Sequence, residues 1–422
     1  KAKRIILMAW GEEKATVIKD IVEGEENSAT PATCLQKHPN IEVVVDEGAS
    51  QELTRVKTPW LVGTCLWPER FIRTAVLWLC RKVDKPILKL TYQDYIDNRL
   101  GQLLEATGQT YDMINIQVFN DLQHTISGWP GGKPNADDST RPERATPYPK
   151  RVLIFSPHPD DDVISMGGTF IRLIAQGHDV HVAYQTSGNI AVLDDIVLQT
   201  LDTARECGFV DRYNEVQEII NNKKKGEAEP IELRRLKGSI RRAEAKAACR
   251  QMGLTDPSHV HFLNLPFYET GGVKKGLLTD KDIQIVVDLL REIKPHQIYA
   301  AGDLSDPHGT HRVCIEAVLA AMEVVQDEEW VKECRLWLYR GAWQEWDLDM
   351  VDMAVPLSPD EVIQKRHAIY RHLSQKDIVP FPGEDKREFW QRAEERNQNT
   401  ARLYDKLGMA EYQAIEVFVR LF

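Results

Sequence analysis

The chain is short of several things, and each shortage excludes something. No apolar run approaches the ~18 residues that a membrane-spanning helix needs, so no membrane partner is expected. Basic residues do not dominate: 53 Lys and Arg stand against 64 Asp and Glu, a net charge of −11. A general nucleic-acid-binding role is therefore not expected. Cysteine is sparse, seven in 422 residues, and no two are spaced as CxxC. Scattered thiols in a chain of this size fit a reducing cytoplasm better than a disulfide scaffold. The opening "KAKRIILMAWGEEK" carries charge too early for the apolar stretch of a secretory leader. No internal repeat is present. What remains, at 42% hydrophobic and 28% charged residues, is a globular chain long enough for two or three domains.

The strongest break in pattern is "SGWPGGKPNADDSTRPERATPYPK", Ser127 to Lys150, rich in Pro, Gly, Asp and Ser and without periodicity. It reads as a loop or linker. Before it, Arg4–Ala9 and Ile41–Val45 read as strands and Glu12–Val22 as a helix. The pattern from Pro68 to Gln123 is mainly helical, with a short strand expected at Ile87–Leu90. After it, strands and helices alternate. Arg151–Phe155, Val180–Gln185, His259–Leu263, Gln297–Ala300 and Arg335–Tyr339 read as strands. Val163–Ala175, Ser239–Met252, Lys281–Ile293 and His311–Val324 read as the helices between them, with a long charged helical insertion over 190–240. Alternation of this kind predicts βαβ units and a mostly parallel α/β sheet with helices on both faces. The tail is helical again from the capping box "SPDE" at Ser358–Glu361, and Ala414–Phe422 alternates like a strand.

The cluster that demands an explanation is "FSPHPDDDVISMGG", Phe155 to Gly168. Three consecutive carboxylates repel one another, and here they follow the first strand of the parallel region. In such sheets ligands bind beyond the carboxyl ends of the strands. A second polar knot, "GDLSDPHGTH", Gly302 to His311, follows the strand at Gln297–Ala300 at the same kind of end. Together the two loops offer His158, Asp161, His308 and His311. Two His and one carboxylate leave coordination positions for water or substrate, as a catalytic zinc requires. The spare carboxylate of Asp160 is then available as general base. A divalent cation also relieves the repulsion among Asp160, Asp161 and Asp162. The same donor set suits a non-haem Fe²⁺ oxygenase, so Fe²⁺ stays an alternative to Zn²⁺ on donor chemistry alone. A helix N-terminus with acidic first-turn residues is the plainer reading of "PDDD".

"PHPDDDVISMGG", then "GHDVHVAYQTSG" and later "HGTH", resemble the LmbE/PIG-L zinc N-acetyl-amino-sugar deacetylases over roughly Arg151 to Trp343. "RRAEAKAACRQMG", Arg241 to Gly253, resembles that family's Arg/Glu helix. The resemblance implies a Rossmann-like sheet and zinc-assisted amide hydrolysis. It implies His158, Asp161 and His311 as zinc ligands and Asp160 as base. His308 would stabilise the oxyanion or protonate the leaving amine. Asp306 is a candidate to orient His308, and Thr186, Ser187 and Asn189 to contact sugar hydroxyls. Two positions depart from the family pattern: Asp162 stands where a Glu is usual, and HGTH lacks the usual Pro-Asp between its histidines. Asp162 is left with a supporting place beside the ligands.

"ILMAWGEEKATVIKDIVEG" and "PATCLQKHPNIEVVVDEGASQELTRVKT" resemble the C-terminal end of glucosamine-6-phosphate deaminases, the NagB-type isomerases, over roughly Lys3 to Thr58. That family's catalytic Asp, Glu and His have no counterpart here. Lys14 matches the lysine that holds the substrate phosphate. The expected organisation is thus a deaminase-like piece over 1–66, a mainly helical connection over 67–127 and a linker over 128–150. A deacetylase domain with a helical tail follows over 151–422. The chain is expected to be part of a longer, cytoplasmic deaminase–deacetylase fusion acting on N-acetylglucosamine or its 6-phosphate. Homo-oligomerisation is left open. The rival readings are a protein acting chiefly as a deaminase, with this domain accessory, and a non-catalytic sugar-binding module.

Overall fold

A computed structural model describes residues 2–209, 213–224, 227–272, 274–303, 309–341, 344–376 and 387–422. The chain divides into two compact units, one built mainly from residues 1–123 and the other mainly from 124–422.

In the first unit, β1 (Ile5–Ala9) pairs in parallel with β2 (Ile41–Val45), Ile5 opposite Ile41. A short 3₁₀ turn, Glu12–Lys14, leads into the helix Ala15–Glu23. Helices at Glu69–Val83 and Tyr111–Thr125 make up much of the rest. The expected strand at Ile87–Leu90 is instead a 3₁₀ turn, Ile87–Lys89, entered through Pro86. Proline has no N–H to give to a ladder, which works against a strand there.

The second unit is a seven-stranded sheet. Its strands are β3 (Arg151–Ser156), β4 (Asp179–Tyr184), β5 (Val260–Phe262), β6 (Gln297–Ala301), β7 (Arg335–Tyr339), β8 (Met353–Leu357) and β9 (Ala414–Arg420). The order is β5-β4-β3-β6-β7-β9-β8. The first five run parallel, and β9 is antiparallel to both neighbours. β3 lies at the centre, nearly all buried, as its run RVLIFS requires of a strand covered on both faces. Chain order reverses between β3 and β6, so the loops after those two strands open the crevice where α/β sheets bind ligands.

The helix after β3, Asp161–Ala175, is broken at Met166 (φ −135°, ψ 26°). Arg396 donates to the Ser165 carbonyl at 3.0 Å on one side of the break. On the other side the Glu416 carboxylate accepts from Gly168 N (3.0 Å) and Thr169 N (2.7 Å). The groups freed by the kink are thereby satisfied, a positive charge at the carbonyl end and a negative one at the amide end. Gly168 is required by packing: a Cβ there would lie 2.4 Å from Leu357 Cδ2.

Residues 128–150 hold no regular element, yet they are tied down. Pro130 O accepts from Gln297 Nε2 at 2.9 Å and Pro147 O from Lys150 Nζ at 3.1 Å. In the insertion, helices Asp194–Glu206 and Tyr213–Asn221 precede the long helix Ile231–Met252. No helix among the described residues is long and apolar enough to cross a membrane. β8 carries no clear period in sequence and is an element that the alternation of strands and helices does not predict.

Candidate metal centre

The loop after β3 turns sharply. Asp160 N and Asp161 N both point back to the His158 carbonyl, at 2.8 and 3.4 Å. The turn delivers His158 and Asp161 to the same point. From the other loop, His311 enters on the first turn of the helix Thr310–Val325. His158 Nδ1 and Asp161 Oδ2 are 3.2 Å apart, His311 Nε2 and Asp161 Oδ2 3.2 Å, and His311 Nε2 and His158 Nδ1 3.3 Å.

That near-equilateral triangle tests whether a metal fits. Its corners lie about 1.9 Å from its centre, and zinc bonds to N and O are about 2.0–2.2 Å, so one ion just off the plane reaches all three donors. Burial would raise the Asp161 carboxyl. The charge on His311 and hydrogen bonds from His158 and His311 overcome this and hold it well below the usual carboxylate range. An ionised carboxylate between two imidazoles is the donor set for a borderline divalent cation.

Asp160 is the N-cap residue of the helix Asp161–Ala175, but its side chain makes no capping bond. Instead Oδ1 meets Arg241 Nη2 at 3.0 Å, both side chains buried. The capping reading of "PDDD" therefore fails for the residue it most needs. Asp162 takes a third environment. It is fully buried and accepts from Ser156 Oγ (3.2 Å) and Tyr184 OH (3.0 Å), with burial pushing its carboxyl up to about 7. Through these two hydroxyls it links β3 to β4.

Thr186, Ser187 and Asn189 are all buried. Thr186 Oγ1 donates to Pro157 O at 2.7 Å, and Asn189 Nδ2 to Ser187 Oγ at 2.7 Å and to Glu269 Oε2 at 3.0 Å. Gly188 between them has φ +63°, and a Cβ would lie 2.9 Å from Pro159 Cδ and 3.1 Å from Arg241 Nε. Only glycine lets this loop lie against the metal-site loop. His308 and Asp306 lie outside the described residues. In the other unit, Lys14 is exposed just before the helix Ala15–Glu23, between Glu13 and Ala15. The Gly11 N–H at the start of that turn is held by Asp46, at 3.1 Å to each carboxylate oxygen.

Three residues of the site have no role assigned by sequence alone. Arg241 stands there only within a helix motif; it is the ion-pair partner of Asp160, and its Nε and Nη1 have no partner among the described residues. Tyr268 sets its ring edge-on to His158, centroids 6.0 Å apart. His372 is buried with neither ring nitrogen partnered among the described residues, and burial, against the pull of Asp160, pushes it down to about 4. Glu244, one turn after Arg241, fixes that segment by accepting from Ser374 N (2.6 Å) and Oγ (2.7 Å). Asp160 and His372 border a small cleft of about 30 Å³ whose wall includes Gln375, Lys376, Phe389 and Trp390. For Arg241, the resemblance of its segment to the family's Arg/Glu helix was a signal. For His372 there was none.

Residues 153–322 match the family described as PIG-L: GlcNAc-PI de-N-acetylase. A glucosamine-6-phosphate deaminase-like protein of Bacteroides thetaiotaomicron is 53% identical over 430 residues, covering 99% of this chain and 65% of that protein. The chain thus spans less than two thirds of this relative. The glucosamine-6-phosphate deaminase of Lactobacillus helveticus is 52% identical over 52 residues, 12% of this chain and 22% of that enzyme. Among solved structures, N,N'-diacetylchitobiose deacetylase from Pyrococcus horikoshii aligns with 19% identity and a TM-score of 0.41. The alignment covers 64% of this chain and 84% of that one. Residues 153–322 therefore match the PIG-L de-N-acetylase family, and the region before them is similar to part of glucosamine-6-phosphate deaminases.

Proposed function

We propose that this chain hydrolyses the N-acetyl group of an amino sugar, N-acetylglucosamine or its 6-phosphate, with a zinc ion held by His158, Asp161 and His311. The observation that carries the reading is the 3.2–3.3 Å triangle of donors with a further, separately anchored carboxylate one residue away. A module that only bound sugar would have no need of a base beside a metal. Zinc supplies a Lewis acid for the amide carbonyl and a more acidic water. Asp160 takes a proton from the attacking water, and Arg241 fixes the orientation of its carboxylate. The leaving amine takes its proton from His308. Trp390, Phe389, Lys376 and Gln375, which line the small cleft beside Asp160, are the nearest candidates to border the sugar. Thr186, Ser187 and Asn189 serve by bracing the catalytic loop.

The deaminase-like region gives the reading its metabolic sense. Removing acetate leaves the free amine that a deaminase consumes, so we place the domain in a cytoplasmic fusion of the two activities. In that fusion Lys14 would meet the sugar phosphate. A panel of N-acetylglucosamine, its 6-phosphate and an N-acetylated peptide, each assayed for acetate, tests the substrate class. Acetate from either sugar and not from the peptide is expected. Release from the peptide alone would refute the assignment.

A further inference from the structure

A second cluster of metal-type donors lies at the far end of the same strands. β4 opens with Asp179, and its third residue is His181. β5, the edge strand, is preceded by His259 and contains His261. Register pairs Val182 with Val260 and Ala183 with His261, so the period of two sets all four side chains on one face.

The spacings converge on one point. Asp179 Oδ1 is 3.4 Å from His181 Nε2 and 3.7 Å from His259 Nδ1, and the three donor atoms lie within 4.8 Å of one another. The rings of His181 and His259 are stacked with centroids 4.2 Å apart. His181 Nδ1 and His261 Nε2 are 3.0 Å apart. When His181 gives its Nδ1 proton to that bond, its Nε2 lone pair faces the Asp179 carboxylate. A lone pair facing an anion is unfavourable unless a cation lies between them. This is the arrangement by which an outer imidazole fixes the tautomer of a metal-bound one. The cluster retains solvent access through His259 and Asp179.

We propose that Asp179, His181 and His259 bind a second divalent transition-metal ion, separate from the one at the catalytic loops. Two imidazoles and a carboxylate select a borderline ion, Zn²⁺, Ni²⁺ or Cu²⁺, over Mg²⁺ or Ca²⁺. The site cannot share the catalytic ion. Asp179 pairs with Arg151 at the start of β3, whereas His158 follows its end, about 17 Å away at ~3.3 Å per strand residue. The ion ties β5, only three residues long, to β4.

The test is metal stoichiometry on the full chain, by equilibrium dialysis against Zn²⁺ with elemental analysis. Two ions per chain are expected, falling to one in His259→Ala/Asp179→Asn and to one in Asp161→Ala/His311→Ala. The His259→Ala/Asp179→Asn variant keeps its acetate release, because neither residue touches the catalytic loops. Its melting temperature no longer shows the second, zinc-dependent rise that the intact chain shows. One ion in the intact chain, lost with Asp161→Ala/His311→Ala and unaffected by His259→Ala/Asp179→Asn, overturns the second site and leaves the catalytic reading standing. One ion lost only with His259→Ala/Asp179→Asn keeps the second site and refutes the catalytic one. Should a double variant fail to fold, His259→Ala alone, on an accessible side chain, is expected to weaken the second equivalent of Co²⁺ at least tenfold by absorption titration. An unchanged titration refutes the proposal.

Discussion

Asp160, Asp161 and Asp162 are adjacent in sequence and have three different neighbourhoods. One faces Arg241, one faces two imidazoles, and one is buried under two hydroxyls. The imidazole neighbours of Asp161 were legible because both His-bearing loops stand out in the sequence, whereas Arg241 beside Asp160 was seen only as part of a helix motif. The place of Asp162 was not legible, since Ser156 and Tyr184 lie on two strands with nothing in their spacing to mark a shared carboxylate. Replacing Asp160 with Asn keeps shape and removes basicity. It is expected to lower kcat about 10²–10⁴-fold with metal content unchanged, measured by acetate release alongside elemental analysis. Arg241→Met removes the orienting partner and is expected to cost about 10–100-fold in activity. Full activity of the Asp160 variant contradicts its role as base, and full activity of the Arg241 variant contradicts the orienting role.

At the scale of elements, the strands of the parallel sheet were legible to within a residue or two because they are apolar runs bounded by turn residues. The kinked helix was not. Its break at Met166 is held by Arg396 and Glu416, more than 200 positions away, and distant partners leave no local period. Glu416 is buried with Lys365 at 2.6 Å. Burial would raise its carboxyl, but Lys365 and Thr169 hold it below the usual range. Glu416→Ala leaves Lys365 buried without its counter-charge and is expected to cost about 3–5 kcal/mol in urea unfolding.

The start of β3 carries a pH response. His178 Nδ1 accepts from Lys150 N at 3.1 Å and His296 Nδ1 from Arg151 N at 3.0 Å. Burial first, then nearby Lys150 and Arg151 respectively, pushes each ring down to about 4 from 6.5. Between those values the unfolded chain binds more protons than the folded one, so stability is full above about 6.5 and falls as pH drops toward about 4. Denaturant midpoints across that range are expected to decline. The decline is expected to flatten in His178→Gln/His296→Gln.

At the scale of the whole molecule, the two resemblances visible in sequence agree with the comparisons: a match to the PIG-L family over 153–322 after a region similar to glucosamine-6-phosphate deaminases. His372 and the cleft beside Asp160 were invisible because they come from a tail legible only as helical. The sheet's far-end cluster was invisible because its four side chains meet only once β4 and β5 are paired. The deaminase-like region lacks counterparts of that family's catalytic Asp, Glu and His. This chain alone is therefore expected to release no ammonia from glucosamine 6-phosphate, as a coupled ammonia assay would show.

The central claim is metal-assisted amide hydrolysis at His158, Asp161 and His311. It is tested most directly by acetate release from N-acetylglucosamine and its 6-phosphate, before chelation, after chelation, and after reloading with zinc. The account predicts acetate and free amine in equal amounts, lost on chelation, restored by zinc, and not restored in Asp161→Ala/His311→Ala. Acetate release that survives chelation, or none from either sugar by the zinc-loaded chain, would contradict it.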